Sequence, residues 1–414
     1  MKADVVIIGG GLASLVAGIK LQKAGKSVII VSAGQSALHF SSGSMGLLGR
    51  FEGKDVERPL EFIDRLDEKH PYRKVGGSER VKALLTEATS ILTDAGIRFK
   101  GNFEKNHYKL TPFGVFSPEW LTLSDHLTVG NPDEFPWKHV ALIGIKGFLD
   151  FFPEYIKKGL EKRGVECDIH EVDIKEFDLL RMNPTEMRAP NIARALTEDA
   201  LDRFGEEINR HIGNNEIAII PAVVGLDSYE PMKMLQEATS CPLYSVATTP
   251  TAVPGIRMQI LLRRHFKALG GWYLNGDMVT DGILDNHRVK SLNTVNLGVD
   301  ALKADHYLLA TGSFFSHGLK ATSKRILEPI FDLDVDSPDD RQSWYDHDIF
   351  KPQPFMRFGV KTDENFHCMK DGKRIENLRA IGNVTGGCDP LYDGVGAGVA
   401  MSTALSVTDH ILKG

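Results

Sequence analysis

The feature that most constrains this chain is a glycine-rich turn that begins at its ninth residue. A largely apolar run at residues 4–8 (Asp-Val-Val-Ile-Ile) ends in three consecutive glycines, and a helical pattern of apolar residues follows and closes at Gly25. A second apolar run, residues 27–31, comes directly after it. This order predicts a βαβ unit, and strands that are apolar throughout are typical of a parallel sheet covered on both faces.

The composition of this turn favours a bound phosphate. In Gly9-x-Gly11-x-x-Ser14, the first glycine permits a tight turn and the second lets the backbone approach a phosphate closely. The amides of Leu12, Ala13 and Ser14 then open a helix, where unpaired N–H groups and the helix dipole attract negative charge. A tight turn without a ligand is the alternative, which the preceding strand and following helix make less favoured.

The end of the second predicted strand argues against a dinucleotide. A dinucleotide-binding unit usually has Asp or Glu there, which binds the ribose hydroxyls. In this chain Ser32, Ala33 and Gly34 follow the strand, so no carboxylate is available. A mononucleotide such as FMN needs none, and FMN is therefore favoured over FAD.

Three further segments extend the predicted site. Residues 34–50 form a Gly/Ser-rich loop after the second strand, and ligands lie at the carboxyl ends of such strands. Residues 307–312 are an apolar strand ending in Ala-Thr-Gly, and residues 377–398 are a strand, a loop and a glycine-rich helix start, both typical of flavoproteins. The residues predicted to bind the cofactor are Gly9, Gly11, Leu12, Ala13, Ser14, Ser32, Ser41, Ser42, Gly43, Ser44, Thr311, Gly312, Gly382, Asn383, Gly394, Gly396, Ala397 and Gly398.

The length of 414 residues predicts more than one domain. The predicted fold class is α/β, a Rossmann-type flavin domain with an inserted α/β substrate or cap domain. We assign residues 1–88, 252–318 and 373–414 to the first and residues 89–251 and 319–372 to the second. Residues 145–162, 194–212 and 254–269 are predicted helices, residues 217–224 a strand, and residues 332–348 a surface loop.

Charge and cysteine content exclude several classes of protein. The net charge is −6 without a basic stripe, which argues against nucleic-acid binding. No apolar run approaches the roughly 20 residues that span a bilayer, and no signal peptide fits the N-terminus. The four cysteines form no C-x-x-C pair, so neither a disulfide framework nor a metal site is expected, and a cytoplasmic location is predicted.

Several strings together resemble a known family. Residues 8–13 (Ile-Gly-Gly-Gly-Leu-Ala), 34–44 (Gly-Gln-Ser-Ala-Leu-His-Phe-Ser-Ser-Gly-Ser), 111–114, 221–225, 250–257 and 382–398 are similar to the B subunit of the anaerobic glycerol-3-phosphate dehydrogenases. The resemblance implies FMN as cofactor and oxidation of sn-glycerol 3-phosphate to dihydroxyacetone phosphate, with electrons passed to a quinone pool. It also implies two partners, an A subunit with a flavin and a C subunit with iron–sulfur clusters, and peripheral association at the inner membrane through them.

Oxidation of a secondary alcohol needs a base for the hydroxyl proton and, for this substrate, cations for the phosphate. His39 in the Gly/Ser-rich loop is the first candidate base and His317 the second. Arg257 and Arg357 are candidate phosphate ligands, since guanidinium groups bind phosphate in a planar fork. Other possibilities stay open: an electron relay with the substrate on the flavin-carrying partner, a scaffold without cofactor (favoured by Ser14, Ser32 and Asn383), and an FAD-dependent enzyme for another small acid.

Overall fold

The predicted βαβ unit is confirmed and begins an eight-stranded sheet in the computed structural model, which describes residues 1–413. The helix of this unit, α1, spans Leu12–Lys23. The strands of the sheet, labelled in chain order, are β1 Lys2–Ile8, β2 Val28–Ser32, β3 Trp272–Asn275, β4 Val279–Asp285, β5 Arg288–Thr294, β6 Gly298–Leu309, β7 His367–Lys370 and β8 Lys373–Ala380.

Five strands of this sheet are parallel, in the order β3-β2-β1-β6-β8. Strand β7 pairs antiparallel with β8, and β4 and β5 form an antiparallel meander with the first part of β6. In the register of β1, Ile8 lies beside both Val31 and Leu309. Three neighbouring strands therefore end at one edge of the sheet, which is where ligands bind in such folds.

Helices α2, Gly77–Asp94, and α3, Gly396–Lys413, pack with α1. Asp409 of α3 accepts hydrogen bonds from Lys20 of α1 and Arg80 of α2, which ties the three helices together. The remaining strands and α-helices of this unit are short: the strands Arg50–Phe51, Lys54–Asp55, Lys320–Ala321, Ile326–Leu327, Val335–Asp336 and Gly359–Val360, and the helices Leu60–Ile63 and Pro71–Lys74.

The chain divides into two compact units, each with its own apolar core. The unit just described comprises residues 1–37, 45–96 and those from 262 onward, and the second comprises residues 38–44 and 97–261. This division confirms the fold class, an α/β flavin-type unit with a second α/β unit inserted in the sequence. The domain boundaries given above stay a prediction, because compactness does not test independent folding.

The second unit is built on a four-stranded parallel sheet. Its strands, in spatial order, are Glu166–Val172, His139–Ile145, Ile217–Pro221 and Leu243–Val246. Its helices are Pro153–Glu161, Asp178–Arg181, Ala189–Ala195, Glu198–Ile212 and Glu230–Ala238, and the helix Val253–Ala268 follows the last strand. Five short strands form small antiparallel sheets: Phe99–Lys100, His107–Leu110, Phe116–Glu119, Thr122–Leu123 and Thr128–Val129.

Two helix predictions were wrong in part. Residues 145–162 begin as the end of a strand, and the helix starts only at Pro153, because Gly147 adopts a positive φ of 80° that a helix cannot contain. Residues 194–212 are split at Thr197, whose extended backbone begins the second helix. The strand predicted at 217–224 ends at Pro221, which has no N–H to donate to a neighbouring strand.

Leu309 and Val299 on β6 provide a matched test of this core. Leu309 is fully buried, whereas Val299 is 81% exposed. We expect Leu309→Ala to lower the free energy of unfolding by about 2–5 kcal/mol, because it removes buried apolar surface and leaves a cavity. Val299→Ala should change it by less than about 0.5 kcal/mol. Urea unfolding followed by circular dichroism measures both, and equal losses would contradict the assigned register of β6.

Candidate functional site

Three turns that are far apart in the sequence meet at the edge where β1, β6 and β8 end. The Ala310 amide donates to the Ile8 carbonyl at 2.9 Å, and the Ile381 amide donates to the Leu309 carbonyl at 2.9 Å. Gly9 has a φ of +111°, and a Cβ there would lie 2.3 Å from the Ala310 oxygen. Only glycine fits at this position, and its absence of a side chain lets the first and second turns touch.

The third turn reaches the start of α1. Gly382 has a φ of +72°, and a Cβ there would lie 3.1 Å from the Cβ of Ala13. The Gly382 amide donates to Thr403 Oγ1 of α3 at 2.8 Å. The residues near positions 9, 311 and 382 therefore form one cluster, as their order in the sequence predicted, and we call this cluster the cradle.

The cradle has the chemistry that a flavin phosphate and its sugar chain require. Gly11 precedes α1 without a side-chain cap, and a Cβ at Gly11 would meet only the Cβ of Ser36, at 3.7 Å. The amides at the start of α1 are thus open to an anion. Within residues 1–413, the Ser14 and Thr311 hydroxyls and the Asn383 amide oxygen are buried without hydrogen-bond partners. Such groups normally find partners, and a polyhydroxylated phosphate ligand would supply them.

The start of α3 is fixed by a tyrosine that sequence analysis missed. Tyr72 is fully buried and its hydroxyl donates to the Leu47 carbonyl at 2.7 Å. A Cβ at Gly398 would lie 2.0 Å from that hydroxyl, so the glycine-rich helix start is needed for this contact. Burial raises the pKa of Tyr72 well above its usual range, so it stays a neutral donor. No acidic residue lies in the first turn of α3, at the positive end of its helix dipole.

Arg357 is held by a carboxylate in the loop before α3. Its Nη2 donates to both oxygens of Asp393, at 3.0 and 2.9 Å. Asp393 Oδ2 also accepts from the Asp389 amide at 3.0 Å. The Arg357 side chain is 47% exposed. Within the described part of the chain its side-chain hydrogen bonds all come from Nη2, so Nε and Nη1 have no hydrogen-bond partner there. Two nitrogens of Arg357 therefore remain for a ligand.

His70 lies close to this group and was not predicted either. Its Nδ1 accepts from the Tyr72 amide at 3.1 Å, so the proton of the neutral ring is on Nε2. Burial lowers the pKa of His70 to about 3, and the charge of Arg357 adds to this effect. The ring is therefore neutral at physiological pH. Nothing in the local sequence distinguishes His70 from the other histidines, because its lowered pKa results from burial in the folded chain and from Arg357, which is distant in the sequence.

In the second unit, a buried lysine holds the Gly/Ser-rich loop. Lys109 Nζ donates to Ser42 Oγ at 2.8 Å and lies 3.4 Å from the Glu119 carboxylate. Gly255 packs on the same loop, because a Cβ there would lie 2.2 Å from the Leu38 carbonyl oxygen and 2.5 Å from that of Ser41. Two segments of the chain, near 109 and near 255, thus determine the conformation of residues 38–44.

Arg257 is buried in the second unit and its terminal nitrogens are already bonded. Nη2 donates to Asp125 Oδ2 at 2.9 Å, and Nη1 donates to the carbonyls of Val224 and Gly225, each at 3.1 Å. The guanidinium also lies 4.1 Å from the ring centroid of Tyr229. Burial alone would raise the pKa of Asp125, but the charge of Arg257 and its hydrogen bonds lower it well below the usual range. This pairing stabilises the fold and leaves Arg357 the better placed of the two predicted phosphate ligands.

The two candidate bases differ in their surroundings. His39 is half-buried in the turn Ala37–Phe40, with its ring 5.2 Å from that of Phe40. His317 is exposed and has a φ of +60°. The first unit contains Gly9, Gly11, Leu12, Ala13, Ser14, Ser32, Thr311, Gly312, His317, Arg357, Gly382, Asn383, Gly394, Gly396, Ala397 and Gly398, and the second contains His39, Ser41, Ser42, Gly43, Ser44 and Arg257. The roles assigned to these residues stay predictions.

Comparison with known proteins identifies the family. A sequence profile described as an FAD binding domain matches residues 4–399. The chain is 42% identical to the B subunit of the anaerobic glycerol-3-phosphate dehydrogenase of Yersinia enterocolitica, over 100% of this chain and 99% of that protein. This chain belongs to the family of FAD-binding flavoproteins that includes these subunits. The corresponding protein of Actinobacillus pleuropneumoniae, which has the same name, is 36% identical over 99% of each chain. The structure of the open conformation of a flavocytochrome c3 fumarate reductase covers 100% of this chain and 78% of its own, at 10% identity and a TM-score of 0.44.

Membership of this family makes the chain a flavin-dependent oxidoreductase, as the resemblance noted above implied. None of the helices within residues 1–413 has the length and apolar character that a membrane span requires.

The pair of Arg257 and Asp125 gives a test by substitution and pH. We expect Arg257→Met to lower the free energy of unfolding by about 3–5 kcal/mol, because it leaves a buried carboxylate without its partner. Adding Asp125→Asn should recover part of the loss, whereas Arg210→Met, at an exposed pair, should cost less than about 1 kcal/mol.

Because the pKa of Asp125 is lowered in the folded state, its stabilising effect is present above the unfolded value of about 3.9 and is lost as the pH falls further. Urea titrations between pH 3 and 7 measure this, and a difference between wild type and Asp125→Asn that did not shrink in acid would contradict the assignment.

Proposed function

We propose that this chain is the B subunit of an anaerobic glycerol-3-phosphate dehydrogenase and oxidises sn-glycerol 3-phosphate to dihydroxyacetone phosphate. The observation that carries the proposal is identity of about 40% over the whole chain with proteins of that name. Electrons would leave to a quinone through two partners, an A subunit with a flavin and a C subunit with iron–sulfur clusters. The chain would be cytoplasmic and held at the inner membrane by these partners, without a membrane span of its own and without nucleic acid.

The cofactor we propose is FMN. The end of β2 offers Ser32 where dinucleotide-binding units offer a carboxylate, and Ser32 Oγ donates to the Gly34 carbonyl at 2.9 Å. The phosphate would bind the amides of Leu12, Ala13 and Ser14, and the sugar chain would meet Thr311 and Asn383. FAD, which the family profile names, is the alternative.

Different residues of this chain would bind the substrate phosphate, accept the hydroxyl proton and stabilise negative charge. The bound flavin supplies a two-electron acceptor for the hydrogen on carbon 2 of the substrate. Arg357 would bind the substrate phosphate through Nε and Nη1 while Asp393 holds its third nitrogen. His39 or His317 would take the hydroxyl proton. The positive end of α3 would stabilise negative charge that develops nearby.

A second function has support in one observation. If the substrate binds instead to the flavin-carrying partner, this chain would be an electron relay and would need a flavin but few phosphate ligands. Arg257, one of two predicted ligands, already bonds Asp125 and two carbonyls. An electron relay is therefore the alternative to substrate oxidation on this chain.

Gly11 tests the cradle. A Cβ at Gly11 would meet no atom closer than 3.7 Å, so Gly11→Val should fold, yet its side chain would stand beside the helix amides that we propose bind phosphate. We expect its flavin content to fall at least about tenfold, a loss of about 1.4 kcal/mol in binding. Gly34→Ala, at an open position outside the cradle, is the control. For both variants, absorbance at the flavin bands relative to protein concentration measures the flavin content, and the urea midpoint shows whether the variant is folded. A full flavin content in Gly11→Val would contradict the proposed phosphate site.

Arg357 tests where the substrate binds. Anaerobic addition of glycerol 3-phosphate to the isolated flavin-loaded chain should bleach the flavin absorbance. We expect Arg357→Gln to raise the concentration for half-bleaching about 10- to 100-fold, since a hydrogen bond to a charged group contributes about 1.5–3 kcal/mol. Arg357→Lys should have a half-bleaching concentration between those of the wild type and Arg357→Gln. Bleaching only after the flavin-carrying partner is added would instead support the relay.

A further inference from the structure

The turn between β1 and α1 is closed on one side by two side chains. A Cβ at Gly10 would lie 2.1 Å from the Tyr273 hydroxyl, 2.3 Å from Ser32 Oγ and 2.7 Å from Ser32 Cβ. Tyr273 Oη donates to the Gly10 carbonyl at 3.3 Å. Tyr273 is 8% exposed and Ser32 is 2% exposed, so the space beside Gly10 is filled by the chain itself.

The two sides of this turn differ. At Gly11 a Cβ would have only one neighbour within 4 Å, the Cβ of Ser36, whereas at Gly10 it would overlap three atoms. The open side is where the helix amides can receive a phosphate. The closed side borders the end of β2, where a dinucleotide-binding unit extends a carboxylate to the ribose of the adenosine.

Tyr273 is held in place by its surroundings. It lies on β3 in register with Ile30 of β2, two pairs before the last, in which Asn275 lies beside Ser32. The guanidinium of Arg263 lies 5.1 Å from its ring centroid, within the range of a cation–π contact. Together with the hydrogen bond to Gly10, these contacts restrict the position of the ring.

A carboxylate at position 32 would therefore meet an obstacle. A longer acidic side chain at position 32 that extended past Gly10 would need the space that the Tyr273 hydroxyl occupies. That hydroxyl and Ser32 Oγ both lie within 2.3 Å of the position that a Cβ at Gly10 would take. The serine at position 32 is short enough to avoid the tyrosine, and its hydroxyl donates to its own loop at Gly34.

We propose that Tyr273, with Ser32, closes the adenosine side of the cradle and makes this chain selective for a flavin mononucleotide over a flavin dinucleotide. Tyr273 is then a residue that determines cofactor specificity without contacting the flavin ring. The proposal rests on the proposed cofactor, and it names the physical cause of that choice.

The test is equilibrium binding of FMN and of FAD to the flavin-free chain, measured by quenching of flavin fluorescence. The wild type should bind FMN at least about tenfold more tightly than FAD. Ser32→Glu alone should gain no affinity for FAD, because Tyr273 remains in the way. Ser32→Glu with Tyr273→Ala should shift the ratio of dissociation constants toward FAD by about tenfold or more.

A second variant and one control separate selectivity from stability. Tyr273→Phe removes the hydroxyl that fills the space beside Gly10 and should weaken the preference for FMN, whereas Trp272→Ala, at a 60% exposed position on the same strand, should leave the ratio unchanged. Urea midpoints show whether each variant is folded.

Equal or tighter binding of FAD by the wild type would overturn this inference while leaving a flavin enzyme in place. An unchanged ratio in the folded double variant would overturn it as well. Absence of binding of either flavin by the wild type would overturn both this inference and the proposed function.

Discussion

The common end of β1, β6 and β8 is the constraint on which the site depends. Parallel pairing places Ile8, Leu309 and the end of β8 at one edge of the sheet, and every glycine turn of the cradle follows from one of these strands. The turns then touch because Gly9 has no side chain where the Ala310 carbonyl lies. A shift of one residue in the register of β6 would move its buried side chains to the opposite face and separate the turns.

The cations near the predicted ligand-binding residues differ in their surroundings. In the second unit, Arg257 and Lys109 are buried and paired with Asp125 and Glu119, so their main effect is to hold loops and strands in place. In the first unit, Arg357 is half exposed and keeps two nitrogens unbonded within residues 1–413. A cation that is already paired and desolvated cannot bind a substrate without losing those contacts, whereas a partly exposed cation can.

In the proposed mode of flavin binding, the two sides of the cradle have different roles. The phosphate side depends on backbone amides and the absence of side chains, which any flavin nucleotide can use. On the adenosine side, we propose that selectivity depends on side chains at the ends of β2 and β3, here Ser32 and Tyr273. Specificity would thus change through two residues while the strands, the turns and the helices stay as they are.

The sequence by itself determined the βαβ unit, the cradle glycines and the absence of a carboxylate after β2, because these are local patterns with a local physical cause. It did not separate helices from strand ends at residues 145–162, where apolar spacing alone is ambiguous. The burial of Arg257 against Asp125 and the contact of Tyr273 with Gly10 were decided only by the tertiary structure. Both join residues more than a hundred positions apart, and nothing in the local sequence specifies such a partner.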